Sequence, residues 1–173
     1  MFDRAYGGPD SLRDDEMDLD NADRSSTATP DDLRSATGLR NAVLSARHWH
    51  NGTLYSKAST HVGNSLVYYY ADGIAASDPI PGSIKYIYRP KDGTITYAIQ
   101  RQVPASNGTL DPFRHYPDIP AKLYSSQLSD SLDLVRPDWV VAQYARWVMH
   151  ADYAVVMSLC QVSIFCRLPR LYS

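Results

Sequence analysis

The clearest pattern in the chain is a pair of alternating runs separated by a turn. Apolar and polar residues alternate with a period of two over residues 83–89 and again over 94–102. Such alternation is typical of β-strands, because successive side chains point to opposite faces of a sheet. Lys91-Asp92-Gly93, which lies between the two runs, has the composition of a tight turn. The sequence therefore predicts a β-hairpin over residues 83–102.

Shorter β-branched and aromatic runs lie on both sides of this hairpin. They occupy residues 53–55, 64–70, 122–126 and 154–159. A proline-rich stretch over 103–120 predicts a long surface loop, residues 129–133 predict a turn, and Pro137 predicts one helical turn followed by a strand to 148. Many short strands with close turns and no alternating helices predict an all-β fold, a small antiparallel barrel over residues 47–165.

Upstream of the barrel the apolar spacing changes to three and four residues. Ala36, Leu39, Val43 and Ala46 follow this spacing, and Thr29-Pro30 supplies a cap residue with proline at the first helical position. The pattern predicts one short helix over residues 31–46. Gly38 weakens that helix, because glycine loses more backbone freedom than alanine in a helix interior.

Charge divides the chain into two parts. Residues 1–37 hold ten acidic and four basic residues, a net charge of −6, whereas the remainder holds nine acidic and thirteen basic residues, a net charge of +4. An acidic segment with few apolar residues cannot bury enough surface to offset its chain entropy. We therefore predict a disordered acidic tail over residues 1–30, the alternative being that the tail docks on the basic body by charge. Residues 166–173 predict a frayed C-terminus.

Neither end of the chain predicts export or membrane insertion. No apolar run approaches the ~20 residues that a membrane span needs, and the acidic start lacks the basic and apolar regions of a secretory signal. We expect an intracellular protein with no membrane contact, in which Cys160 and Cys166 are reduced thiols. The oligomeric state is left open.

Catalytic and metal-binding motifs are missing from the sequence. There is no Gly-x-Ser-x-Gly, no phosphate-binding glycine loop and no His-Glu-x-x-His. His48, His50 and His61 supply three imidazoles, but no carboxylate or cysteine lies nearby in sequence to complete a metal shell. We predict no catalytic residue, no metal and no cofactor. The alternative is a hydrolase, which would require His115 or His150 to meet a serine or an aspartate in the fold.

The order of segments resembles that of the bromo-adjacent homology (BAH) family. The similar segments are Gly63–Tyr68, Pro81–Tyr88, Thr96–Arg101, Lys122–Gln127, Leu132–Val135 and Val141–Tyr144, within about residues 45–160. The chain also resembles the barrel segment near the C-terminus of transposase-derived proteins of mushroom-forming fungi. Two positions depart from the BAH pattern: Lys122 replaces an acidic residue, and Gln143 or Tyr144 replaces the closing cysteine.

This resemblance implies a BAH/SH3-like barrel with a nuclear, chromatin-associated role, and a catalytic domain elsewhere in a longer parent protein. Some BAH domains enclose a methylated lysine in an aromatic cage, where each ring face attracts the cation by ~0.5–2 kcal/mol. The candidate cage residues of this chain are Tyr68, Tyr70, Tyr86, Tyr88 and Trp139. The alternative is that these rings fill the core and cover the strands.

Basic residues of the hairpin give a second candidate surface. Lys85, Arg89, Lys91 and Arg101 are placed to contact phosphates, although acidic residues interleave with them and a mixed, solvated surface is the alternative. The sequence therefore predicts a non-catalytic module that binds a protein or peptide within a transposon-derived protein. The second hypothesis is a nucleic-acid-binding accessory module of a transposase.

Overall fold

The computed structural model describes residues 26–159, except for residues 76, 92 and 107. The strands are Thr27–Ala28 (β1), Asn41–Ser45 (β2), Arg47–His50 (β3), Thr53–Ser56 (β4), Leu66–Tyr69 (β5), Ile80–Arg89 (β6), Thr96–Pro104 (β7), Ala121–Val135 (β8), Val140–Val148 (β9) and Tyr153–Ser158 (β10). The helices are Asp31–Thr37 (α1) and Val62–Ser65 (α2), and two 3₁₀ turns cover Pro112–His115 and Pro137–Trp139.

Six of these strands close into an antiparallel barrel. The order around the barrel is β6, β5, β9, β10, β8 and β7, and pairing between β7 and β6 completes the ring. Strands β2 and then β1 extend the sheet from β6, while β3 and β4 form a separate hairpin. The predicted all-β antiparallel barrel is thus confirmed, and α1 is the one helix of seven or more residues in the described part of the chain.

The predicted hairpin over residues 83–102 is formed by β6 and β7. Tyr88 pairs with Thr96 and Gly82 with Arg101, and the register shifts once, between Ile84 and Tyr86. In the connecting turn, the Gly93 N–H donates to the Pro90 carbonyl at 3.1 Å. The loop predicted after β7 and the helical turn predicted at Pro137 are confirmed as well.

The predicted helix over residues 31–46 is wrong beyond Thr37. Gly38 adopts a left-handed conformation with φ of 73°, and its N–H donates to the Arg34 carbonyl at 2.7 Å, which closes the helix. A glycine in this conformation is a common helix C-cap because it has no Cβ to clash. Residues 41–45 then form β2, of which Val43, Leu44 and Ser45 pair with β6. Val43 fits the helical spacing, but apolar residues at 42 and 43 fit a strand equally well, because a short apolar run is compatible with both periods.

This correction moves the predicted boundaries of the barrel unit. β2 pairs with β6, so the folded unit extends upstream of residue 47. Thr27 and Ala28 pair with Ala42 and Asn41, so the last residues of the predicted tail over 1–30 belong to the sheet. Residues 1–25 of that tail, the barrel end over 160–165 and the frayed terminus over 166–173 lie outside the described residues.

The turn predicted over residues 129–133 is also wrong. β8 continues through it to Val135, and its register against β7 shifts twice, between Gln100 and Gln102 and again between Gln102 and Pro104. The Gln100 side-chain amide donates to the Ser129 carbonyl at 3.1 Å and supports the irregular stretch. Serine and aspartate are tolerated there because most side chains in this part of β8 are only partly buried or exposed.

Apolar packing occurs on both faces of β5. Val67 and Tyr69 join a cluster with Ile84, Ile99 and other residues of β6 to β8. Leu66 and Tyr68 join a second cluster on the opposite face, with Tyr124, Tyr144 and Val156. A third cluster lies beneath α1, so the apolar residues of the described segments are buried in three clusters rather than one.

Candidate functional site

The predicted cage pair Tyr86–Tyr88 is covered by the chain's own helix. Tyr88 is only 4% exposed and packs in one cluster with Leu33 of α1, which is fully buried. Tyr86 packs against the same cluster, and its hydroxyl donates to Asp32 at 3.1 Å. An aromatic cage needs open ring faces, so the pair does not offer a cage wall in this structure.

The other predicted aromatic residues are distributed over separate clusters. Tyr68 packs against Tyr144, with ring centroids 5.3 Å apart, and burial raises its pKa. Trp139 packs against the cluster of Val67 and Tyr69, and the Tyr70 N–H donates to the Trp139 carbonyl at 3.0 Å. The fold therefore makes neighbours of Tyr70 and Trp139 but does not assemble the five aromatic residues into one site.

Two of the four predicted nucleic-acid contacts are paired with carboxylates. Lys85 forms an ion pair with Asp32 at 2.8 Å. Arg101 donates twice to one oxygen of Asp133, from Nε at 3.0 Å and from a terminal nitrogen at 2.8 Å. The Tyr69 hydroxyl donates to that same oxygen at 2.5 Å. Burial is the main cause of the raised pKa of Tyr69, and the contact with Asp133 adds to it.

Arg89 and Lys91, the remaining two, are exposed, and Arg89 borders a groove. The groove has a volume of about 320 Å³ and lies between the β3–β4 hairpin, the β6–β7 turn and the 3₁₀ turn over residues 137–139. Its lining residues are His48, His50, Arg89, Gly93, Thr94, Ile95, Arg136, Pro137 and Asp138. Polar and charged side chains thus line a concave surface, where they can act together on one ligand.

Two imidazoles form one wall of the groove. His48 and His50 lie two residues apart on β3, so both point to the same side, and their rings stack with centroids 5.9 Å apart. A hydrogen bond of 2.7 Å joins His48 Nδ1 to the hydroxyl of Tyr97. Asn51 and Gly52, both with positive φ, form the tight turn that returns the chain into β4 and holds this wall in place.

Two arginines and one aspartate supply the charge of the groove. Asp138 lies 3.2 Å from Nε2 of His50 and 3.5 Å from a guanidinium nitrogen of Arg136. Arg89 is exposed, and among the described residues it forms no ion pair with a carboxylate. With both imidazoles neutral, Arg89, Arg136 and Asp138 give the described lining a net charge of +1, and protonation of either ring raises it. The groove therefore favours an anionic ligand.

The sequence predicts only part of this site. Arg89 is one of the predicted basic contacts, and His48 and His50 are candidate metal ligands, whereas Arg136 and Asp138 are not among the predicted site residues. Within the described residues no group of three or more histidine, cysteine or acidic side chains is arranged to hold a metal ion. Arg136 and Asp138 belong to the 3₁₀ turn between β8 and β9 and to the residue before it, far downstream of the hairpin, and no local motif marks them.

A second exposed feature is the outer face of the β9–β10 hairpin. Trp147 is 74% exposed, and Met157 and Leu159 are also exposed on the neighbouring strand and its end. Buried residues such as Tyr144 alternate with them and face the interior. Exposed apolar groups that lie together on one surface are typical of contacts with other proteins.

No family model, curated protein or solved structure matches this chain. In the described part of the chain, no helix combines the length and the apolar character required to cross a membrane.

Proposed function

We propose that this protein is a non-catalytic interaction module that binds an acidic peptide segment of a partner protein in the groove between His48, Arg89 and Arg136. The observation that carries the proposal is the convergence of these cationic and imidazole side chains on one concave surface. Arginine suits this ligand because its planar guanidinium can donate two parallel hydrogen bonds to a carboxylate. Outside the groove lining, the β9–β10 hairpin also exposes an apolar face at Trp147, a feature that is typical of proteins that contact other proteins.

Chemistry of the lining also supports binding over catalysis. The polar contacts of His50 are to Asp138 and to the amide of Asn51, and His48 is hydrogen-bonded to the Tyr97 hydroxyl. Burial raises the pKa of Tyr97, so this phenol is a poor source of a nucleophilic oxyanion. The groove is therefore better equipped to hold an anion than to attack a substrate.

The proposal is tested by fluorescence anisotropy with labelled decapeptides of glutamate, lysine, and a neutral glycine–serine sequence. We expect the glutamate peptide alone to bind, with an affinity that falls as salt rises, because exposed charges are screened within ~8–10 Å at physiological ionic strength. The double variant Arg89→Ala, Arg136→Ala should lower that affinity at least tenfold. Arg40→Ala with Arg114→Ala, which removes the same charge from exposed positions outside the groove, is the matched control.

Two outcomes would overturn the proposal. One is the absence of glutamate-peptide binding up to millimolar concentration. The other is equal loss of affinity in the groove variant and in its control, which would show a general charge effect. A labelled DNA duplex is included in the same assay. If the duplex binds more tightly than the glutamate peptide and depends on Arg89 and Arg136, the partner is a nucleic acid, and the peptide proposal fails.

A further inference from the structure

The charge that best complements the groove is found in the same chain. Residues 1–25 hold eight acidic and three basic residues, a net charge of −5, and the run over 14–20 has five acidic residues and no basic one. We propose that this acidic segment is an intramolecular ligand of the groove, which an acidic partner must displace. The inference rests on the proposed function, because it assigns an occupant to the same site.

The point where the segment joins the sheet is close to the groove. Thr27 of β1 pairs with Ala42 of β2, and the next residue of β2, Val43, pairs with Arg89 of β6. Neighbouring strands lie ~4.8 Å apart, so two strand spacings place Thr27 on the order of 10 Å from Arg89. The acidic segment is therefore tethered beside one of the two arginines that line the groove.

Residues 21–26, which connect the acidic run to β1 and form the tether, are also long enough for the run to reach the groove. The acidic run over 14–20 is separated from Thr27 by six residues, which span up to ~20 Å when extended. That reach exceeds the distance to Arg89, and a short tether of this kind gives an effective concentration of about 1 mM. Even weak binding of carboxylates is then sufficient to keep the groove occupied.

Asp138 shows locally the kind of contact that the segment would make. Its single carboxylate is shared between His50 and Arg136, whereas Arg89 lies at the side of the groove nearer to the tether. Further carboxylates in the groove would engage Arg89 and compete with Asp138 for Arg136. The two arginines would then each have an acidic partner, as Lys85 and Arg101 have elsewhere in the fold.

The test compares two full-length variants that remove equal charge. In the segment variant, Asp14, Asp15, Asp18 and Asp20 are each replaced by asparagine. In the control variant, the same replacement is made at the exposed residues Asp72, Asp118, Asp130 and Asp152. If the segment binds with a Kd of about 0.2 mM at an effective concentration of about 1 mM, its removal tightens binding of the glutamate decapeptide about sixfold. We expect that increase in the segment variant and less than a twofold change in the control.

A contact measurement accompanies the affinity measurement. A zero-length carboxylate–amine cross-linker should join Lys91, which lies between Arg89 and Gly93 in the turn, to acidic residues of the 14–20 run in the wild-type chain. Arg89→Ala with Arg136→Ala should suppress that product, because the segment then loses the two cationic side chains proposed to hold it in the groove.

The outcomes separate this inference from the proposed function. If the decapeptide binds the wild-type chain and both variants equally, the segment is not a ligand of the groove while the groove remains a peptide site. If the decapeptide binds none of them, the proposed function fails. If both variants gain affinity equally, net charge alone explains the gain, and the inference is overturned.

Discussion

Two neighbouring parts of the β6–β7 hairpin, both near its turn, use similar residues in opposite ways. Near Tyr86 and Tyr88, α1 covers the strand, and Asp32 neutralises Lys85 and accepts from Tyr86. Directly after Tyr88, Arg89 and the turn that follows it border an open groove. On the covered surface the aromatic and charged groups contact each other within the fold, whereas at the groove Arg89 is exposed and, among the described residues, forms no ion pair with a carboxylate.

This contrast shows that residue type does not decide which side chains are free for recognition. Lys85 and Arg89 are four residues apart on one strand, and both were predicted to contact phosphates. Lys85 and Arg89 differ because α1 places Asp32 beside Lys85 and not beside Arg89. Gly38 ends α1, and the chain then returns to the sheet as β2. A surface is available for binding when the rest of the fold leaves it uncovered.

The largest expected effect comes from loosening the covered surface. Leu33→Ala removes the fully buried side chain through which α1 packs on Tyr88, and should lower the free energy of unfolding by about 2–5 kcal/mol. Leu110→Ala makes the same change at an 87% exposed position and should change it by less than about 0.5 kcal/mol. Urea denaturation measures both, and equal midpoints would show that α1 is not packed as described.

The next effect tests the packing behind the groove. Gly73→Ala places a Cβ 2.5 Å from the ring of Trp139, which directly follows Asp138 of the lining. Gly38→Ala has a similar positive φ but meets nothing within 4 Å, so it reports backbone strain alone. We expect Gly73→Ala to cost about 1–3 kcal/mol more than Gly38→Ala in thermal or urea denaturation, because an overpacked ring must move. Equal losses in the free energy of unfolding would contradict this prediction, because they would mean that the Trp139 ring moves aside at little energetic cost.

A smaller, pH-dependent effect is expected at Asp32. Burial acts to raise the pKa of Asp32, but hydrogen bonds from Lys85, Tyr86 and the Leu33 N–H lower it overall. A lowered folded-state pKa contributes stability above the unfolded value of ~3.9, and this stability is lost as the pH falls through the folded-state pKa.

Asp32→Asn isolates that contribution. Because Asp32 and Lys85 are each 36% exposed, solvent screening limits the loss at pH 6 to about 1 kcal/mol or less. The difference between wild type and variant should decrease as the pH falls below about 4. A difference that stays constant from pH 6 to pH 3 would contradict the ion-pair explanation.

The smallest effect on stability should come from the groove itself. Arg89→Ala and Arg136→Ala remove exposed side chains, and each should change the free energy of unfolding by less than about 0.5 kcal/mol. The same variants are expected to lose binding of the glutamate peptide. A large loss of stability in either variant would place that arginine with Lys85, as a residue needed for folding rather than for recognition.

The barrel itself could be predicted from the sequence, whereas the boundaries near α1 could not. The alternation over residues 83–102 predicted β6 and β7, and Pro137 predicted the 3₁₀ turn, because period and proline geometry are local properties. The predicted helix failed beyond Thr37, since apolar residues at 42 and 43 fit both a helix and a strand. Pairing with β6, which lies more than 40 residues downstream, resolved that ambiguity in favour of a strand.

By itself, the sequence determined the strand-forming segments, the tight turns and the division of charge between residues 1–37 and the rest. These depend on residue type and spacing along the chain. Only the tertiary structure decided that Tyr88 is buried beneath Leu33, that Lys85 is paired with Asp32, and that Asp138 contacts His50 and Arg136 in the lining of one groove. Burial and ion pairing depend on which distant segments meet, and that follows from strand pairing over long separations rather than from any local pattern.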